Sequence, residues 1–113
     1  MELTVDLTFL NEISDGDQGF ITDVLNTFLV EMPKDMEQLK NALAQHNAVD
    51  IGRVAHKTKS TLQTLGLHDL KDMAYSIEQR AKSGATAQEL LTDSKNFITY
   101  ISQACQKVNT LLH

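Results

Sequence analysis

The stretch Asn47-Ala48-Val49-Asp50-Ile51-Gly52-Arg53-Val54-Ala55-His56-Lys57-Thr58-Lys59-Ser60-Thr61-Leu62-Gln63-Thr64-Leu65-Gly66 reads as one amphipathic helix with both ends marked. Asn47, with Asp50 three residues on, forms an N-terminal cap, and Gly66 is the residue type that commonly follows a last helical turn. With His56 set at zero and about 100° per residue, Ile51, Ala55, Thr58, Leu62 and Leu65 fall between about 180° and 260°. Val54 and Thr61 flank that arc, which is the core face. Gly52, Lys59, Ser60 and Gln63 fall within about 60° of His56. His56 is therefore expected to point away from the core, midway along the helix.

The flanking sequence carries the same helical period. A short helix is expected over Leu7–Ile13, broken by Ser14-Asp15-Gly16-Asp17, with Asp15 and Gln18 capping the next. That second helix places Phe20, Val24, Phe28, Leu29 and Met32 on one stripe, which resumes past Pro33 with Met36, Leu39 and Leu43. One long helix kinked near the proline is expected rather than two. Leu67, Leu70, Met73, Ala74, Ile77 and Ala81 mark a fourth helix ending at Ser83-Gly84. Thr86 and Glu89 make a capping box for a last helix carrying Leu90, Leu91, Phe97, Ile98, Ile101, Cys105, Val108 and Leu112. No stretch alternates with the period of a strand. The expected fold is all-α: an antiparallel up-down four-helix bundle with a short extra N-terminal helix, one domain over residues 1–113.

Composition narrows the function classes. Ten basic against fifteen acidic side chains give a net charge of -5, with no Lys/Arg cluster of the kind nucleic acids or anionic membranes attract. No apolar run approaches the roughly 18 residues that span a bilayer, and Met1-Glu2-Leu3-Thr4-Val5-Asp6 has no signal-peptide pattern. Cys105 is the single cysteine, so no internal disulfide forms. These features place the expected chain in the cytoplasm, as a monomer. His46, His56, His68 and His113 lack metal-ligand spacing, and no Gly-rich nucleotide loop is present, so neither a metal centre nor autonomous kinase activity is expected.

His56 is the histidine with chemistry around it. Gly52 and Ser60 are small residues one turn before and one turn after, and Lys59 at i+3 can reach a group attached to the ring. Glycine inside a helix costs roughly 0.5–1 kcal/mol relative to alanine, so Gly52 suggests a close approach. Lys57 lies about 100° off this face and is read as solvated, as is Lys82. Cys105 sits on an apolar stripe and reads as core.

The run Ala55-His56-Lys57-Thr58-Lys59-Ser60-Thr61, followed by Leu65-Gly66-Leu67, Leu70 and Ile77-Glu78, resembles the signature of histidine-containing phosphotransfer domains. Upstream, Phe28-Leu29 and Met32-Pro33 resemble the same family's Phe-Leu and apolar-Pro pattern, so the likeness covers roughly residues 15 to 110. Thr58 stands where the pattern commonly has Leu, and Ser60 where it commonly has Gly. The resemblance implies a phosphorelay intermediate that carries a phosphoryl group on His56. It implies exchange with the aspartate of a response-regulator receiver domain, or supply by a hybrid histidine kinase, with no cofactor of its own and Mg²⁺ on the receiver. Lys59 would neutralise phosphoryl oxygens, Gln63 would donate a hydrogen bond, and Gly52 and Ser60 would keep the docking face open. As an exposed lysine, Lys59 is expected to support transfer and to be dispensable for stability. The competing reading is a helical adaptor that docks partners without chemistry.

Overall fold

The computed structural model describes residues 2–112; Met1 and His113 lie outside that range. All regular structure among the described residues is helical: α1 (Thr8–Ile13), α2 (Gln18–Ala44), α3 (Ala48–Thr64), α4 (His68–Lys82) and α5 (Ala87–Leu112). At 1.5 Å per residue, α2 and α5 are each about 40 Å long, which accounts for the long axis of the 43 × 22 × 22 Å molecule.

Short turns force successive helices to run antiparallel. The packed neighbours are α2 with α3, α3 with α4, α4 with α5 and α5 with α2, which closes a four-helix ring. The interior is filled by Ile21, Leu25, Phe28, Met32 and Leu39 from α2, Ile51, Val54 and Leu62 from α3, Leu70 and Ile77 from α4, and Leu90, Phe97, Ile101 and Val108 from α5. Leu10 of α1 is fully buried, so the short helix is a plug on the bundle.

Caps fix where each helix starts. Asn47 Oδ1 accepts from the Asp50 amide at 3.1 Å while its own amide donates to the Asp50 carboxylate at 2.9 Å. Thr86 and Glu89 exchange both bonds of a capping box, each at 3.1 Å. The cap expected at Asp15 is instead Asp17, whose carboxylate accepts from the Phe20 amide. The displacement follows from how α1 ends. Its closing bond, Gly16 N to Asn11 O, needs left-handed backbone at Asp15, and Gly16 is left-handed as well, so Asp17 is the first extended residue available to cap.

The stripe of α2 also differs. Phe20 is 46% exposed and Ile21 is buried in its place, because Phe20 lies about 120° from Met32 around the helix. On α5, Leu91, Ile98, Cys105 and Leu112 are only half-buried, while Ser94 and Ala104 occupy the interior arc. Gly66 follows α3 with φ of +68°, and a Cβ there would collide with the backbone of Asp6. The N-terminal segment crosses that turn, with the Asp6 amide donating to Leu65 O at 3.1 Å and Leu3 buried.

Candidate functional site

His56 stands midway along α3, and its side chain is 67% exposed. The polar arc around it is nonetheless split by its neighbours. On one side, Gly52 is buried and Lys59 mostly so, because α4 packs there; on the other, Arg53 and Ser60 are exposed. The approach that requires Gly52 is that of Ala81, since a Cβ on Gly52 would stand 2.9 Å from the Ala81 Cβ. Gly52 therefore lets α3 and α4 close together, and the docking role expected for it is corrected to that extent.

That close packing brings Glu78 of α4 beneath His56. Its side chain is 2% exposed, yet it faces three cationic or basic groups: the His56 Nδ1, the Lys59 ammonium at 2.5 Å and the Lys82 ammonium at 3.4 Å. Burial opposes its charge, but hydrogen bonds from Lys59, His56 and Lys82 outweigh that and hold the carboxyl below its ordinary range. Glu78 is therefore a carboxylate, and a carboxylate only accepts, so Nδ1 carries the ring proton and donates. The second ring nitrogen, Nε2, is left with its lone pair free. A buried carboxylate thus sets the tautomer and orientation of an exposed imidazole and leaves Nε2 as its unprotonated nitrogen.

Lys59 is not the free surface cation that its spacing suggests. Its side chain is 28% exposed, its ammonium is paired with Glu78 and it lies 5.2 Å from the centre of the Tyr75 ring. The expectation that Lys59 is dispensable for stability does not survive this geometry. Lys57, read as solvated, instead donates to Asp35 of α2 at 2.8 Å, and the Asp35 side chain is only 7% exposed. Lys82, also read as solvated, joins the site through Glu78. Ser60 and Gln63 are exposed on the His56 face, with the Ser60 carbonyl accepting from the Thr64 hydroxyl at 2.9 Å.

Glu78 and Asp35 carried a readable signal. On its helix each lies inside or at the edge of an apolar arc, Asp35 about 60° from Met32 and Glu78 about 40° from Ala74. An acidic residue in such a position needs a partner from the facing helix, and α3 supplies one to each. Among the described residues, no group of three His, Cys, Asp or Glu side chains is placed to hold a metal ion, and no helix is long and apolar enough to cross a membrane.

Comparison with solved structures finds the same fold at low sequence identity. The Hpt domain of a sensor hybrid histidine kinase from Shewanella superimposes with a TM-score of 0.83 at 15% identity, covering 96% of this chain and 92% of that one. Histidine-containing phosphotransfer protein B from Pseudomonas aeruginosa PAO1 superimposes with a TM-score of 0.74 at 18% identity, covering 96% and 90%. No curated protein sequence matches the chain. The profile of the Hpt domain family matches residues 23–110, a span that runs from early α2 to near the end of α5 and includes His56, Lys59, Glu78 and Lys82. The chain belongs to the Hpt domain family, whose members serve phosphotransfer in phosphorelays.

Proposed function

We propose that His56 accepts and donates the phosphoryl group, exchanging it with the aspartate of a response-regulator receiver domain, with a hybrid histidine kinase as a further partner of the same relay. The observation that carries this reading is the exposed His56 ring bonded through Nδ1 to the buried carboxylate of Glu78. It leaves a single nucleophilic nitrogen facing solvent, on a face where Ser60 is too small to obstruct an approaching domain.

The exchange balances without moving a proton. The Nε2 lone pair attacks phosphorus in line, the bond from phosphorus to the aspartyl oxygen breaks with its electrons, and the aspartate leaves as a carboxylate. The ring then carries phosphoryl on Nε2 and hydrogen on Nδ1, and so bears a positive charge that Glu78 faces directly. Reversal regenerates the neutral imidazole. The receiver contributes Mg²⁺ and most of the stabilisation of the transferring group, as phosphoryl transfer is chiefly positioning and electrostatics. Gln63 contributes an amide donor at the rim.

The test is incubation with a labelled phospho-receiver. Label should move to the chain, resist alkali, be released by acid, and vanish in His56→Gln while helical circular dichroism stays native. Receiver binding without label on the wild-type chain would refute phosphotransfer and leave the adaptor reading. Label that persists in His56→Gln and disappears in His46→Ala or His68→Ala would place the chemistry on another histidine.

A further inference from the structure

We propose that Arg53 and Lys82, which both line the hollow beside His56, are the cations that hold the phosphoryl group, while Lys59 acts at one remove by fixing Glu78. The inference rests on His56 being the phosphorylated residue. A hollow of about 350 Å³ opens between α3 and α4, floored by Gly52 and Ala81 and walled by Arg53, His56, Glu78 and Lys82. It joins the exposed imidazole of α3 to one cation from each helix.

The three candidate cations differ in how firmly they are engaged. Lys59 is mostly buried, 2.5 Å from Glu78 Oε1 and stacked over Tyr75, so reaching a phosphoryl group would strip a buried carboxylate of its nearer ammonium. Lys82 is 64% exposed and lies at a looser 3.4 Å from Glu78. Arg53 is 57% exposed and, among the described residues, pairs with Asp50, itself 40% exposed, at 3.4 Å. Exposed pairs three residues apart on a helix are weak, so Arg53 exchanges Asp50 for a doubly charged phosphoryl group readily. Its guanidinium also suits phosphate oxygens in a way that an ammonium does not. Once phosphoryl is attached, the local charge favours this exchange further, because Glu78 has the positive ring in front of it and needs Lys82 less.

Phosphoramidate is the probe, since it phosphorylates imidazole without a receiver: its P–N bond breaks, a P–Nε2 bond forms and ammonia leaves. Formation and decay of phosphohistidine are followed by ³¹P NMR for wild type, Arg53→Ala, Lys82→Ala, the double variant, Lys59→Met and the remote control Lys34→Ala. The double variant should shorten the phosphohistidine half-life by about three- to tenfold, the range for losing charge-assisted contacts at a solvent-open site, with each single variant intermediate and Lys34→Ala like wild type. Lys59→Met should instead move the His56 Nδ1–H resonance, as expected of a positioning residue. A wild-type half-life in the double variant would overturn the proposal. So would a shortened half-life in Lys59→Met with the Nδ1–H resonance unmoved. Failure of wild type to form phosphohistidine from either phosphoramidate or a phospho-receiver would overturn the reading of His56 itself, and this inference with it.

Discussion

Replacing Lys59 by methionine tests whether the pair beneath His56 is structural. The substitution keeps the length of the apolar stem that lies along Tyr75 and removes the charge 2.5 Å from Glu78. Removing one partner of a buried ion pair typically costs about 3–5 kcal/mol, because the remaining charge is stranded. Here the carboxylate keeps the His56 Nδ1–H bond and the more distant Lys82, so the expected loss is smaller, about 1–3 kcal/mol. At roughly 4–5 °C per kcal/mol for a chain of this size, Tm falls by about 5–15 °C. Chemical denaturation at neutral pH measures the free energy directly, with the m-value unchanged. The pH dependence identifies the cause. Glu78 has its folded pKa held below the ordinary 4.5, so its charged form contributes stability above the unfolded pKa. That contribution is lost as pH falls through the lower folded value. Both proteins then carry a neutral Glu78, and the gap between them should close as the pH drops below about 4.5. A loss under about 0.5 kcal/mol at neutral pH, which is what an exposed lysine would give, would refute the reasoning. So would a gap that stays constant into acid.

Three further substitutions probe separate parts of the structure. Gly52→Ala gains helix propensity of about 1 kcal/mol but places a Cβ 2.9 Å from that of Ala81; overpacking of about 1–3 kcal/mol should win, and Ala81→Gly in the same chain should restore the stability seen by thermal melting. His46 closes the turn after α2 with φ of +54°; His46→Gly relieves left-handed strain and should raise stability by about 0.5–1 kcal/mol, checked by denaturant titration. Ser60→Arg puts a large side chain on the exposed face one turn from His56; it should abolish label transfer from a phospho-receiver at an unchanged melting temperature, and transfer at the wild-type rate would show that this face does not dock the receiver.

The helices were legible because three local signals agreed at most boundaries. Caps at Asn47 and Thr86 and glycines at 66 and 84 coincide with the limits of the apolar period, and the structure places helix ends there within a residue or two. Where the signals conflicted, reading failed. Asp15 and Asp17 are equally good capping residues by type, and only the backbone needed to close α1 distinguishes them. Phe20 satisfied a four-residue spacing to Val24, but repeated four-residue steps drift off a 3.6-residue helix, and by Phe20 the drift had carried the side chain out of the core.

The site was legible only as far as one helix can describe it. A wheel drawn on α3 correctly separates His56 from the core arc, but it treats everything outside that arc as solvent. Gly52, Lys59 and Lys57 all lie outside the arc, and each meets a neighbouring helix: Gly52 meets Ala81, Lys59 meets Glu78, and Lys57 meets Asp35. The missing information is which flank of the polar face each neighbour covers, and that is set by bundle topology rather than by α3. The acidic residues hold the complementary clue. A carboxylate inside an apolar arc would cost several kcal/mol without a partner, so Asp35 and Glu78 each require a cation or donor on the helix that packs against that arc. Among the residues of α3, Lys57 lies about 100° to one side of His56 and Lys59 about 60° to the other. Matching Asp35 of α2 to the first and Glu78 of α4 to the second orders the three helices around α3. The same match puts a carboxylate beneath the imidazole, so the pairing that orders the helices around α3 also sets which His56 nitrogen is left unprotonated.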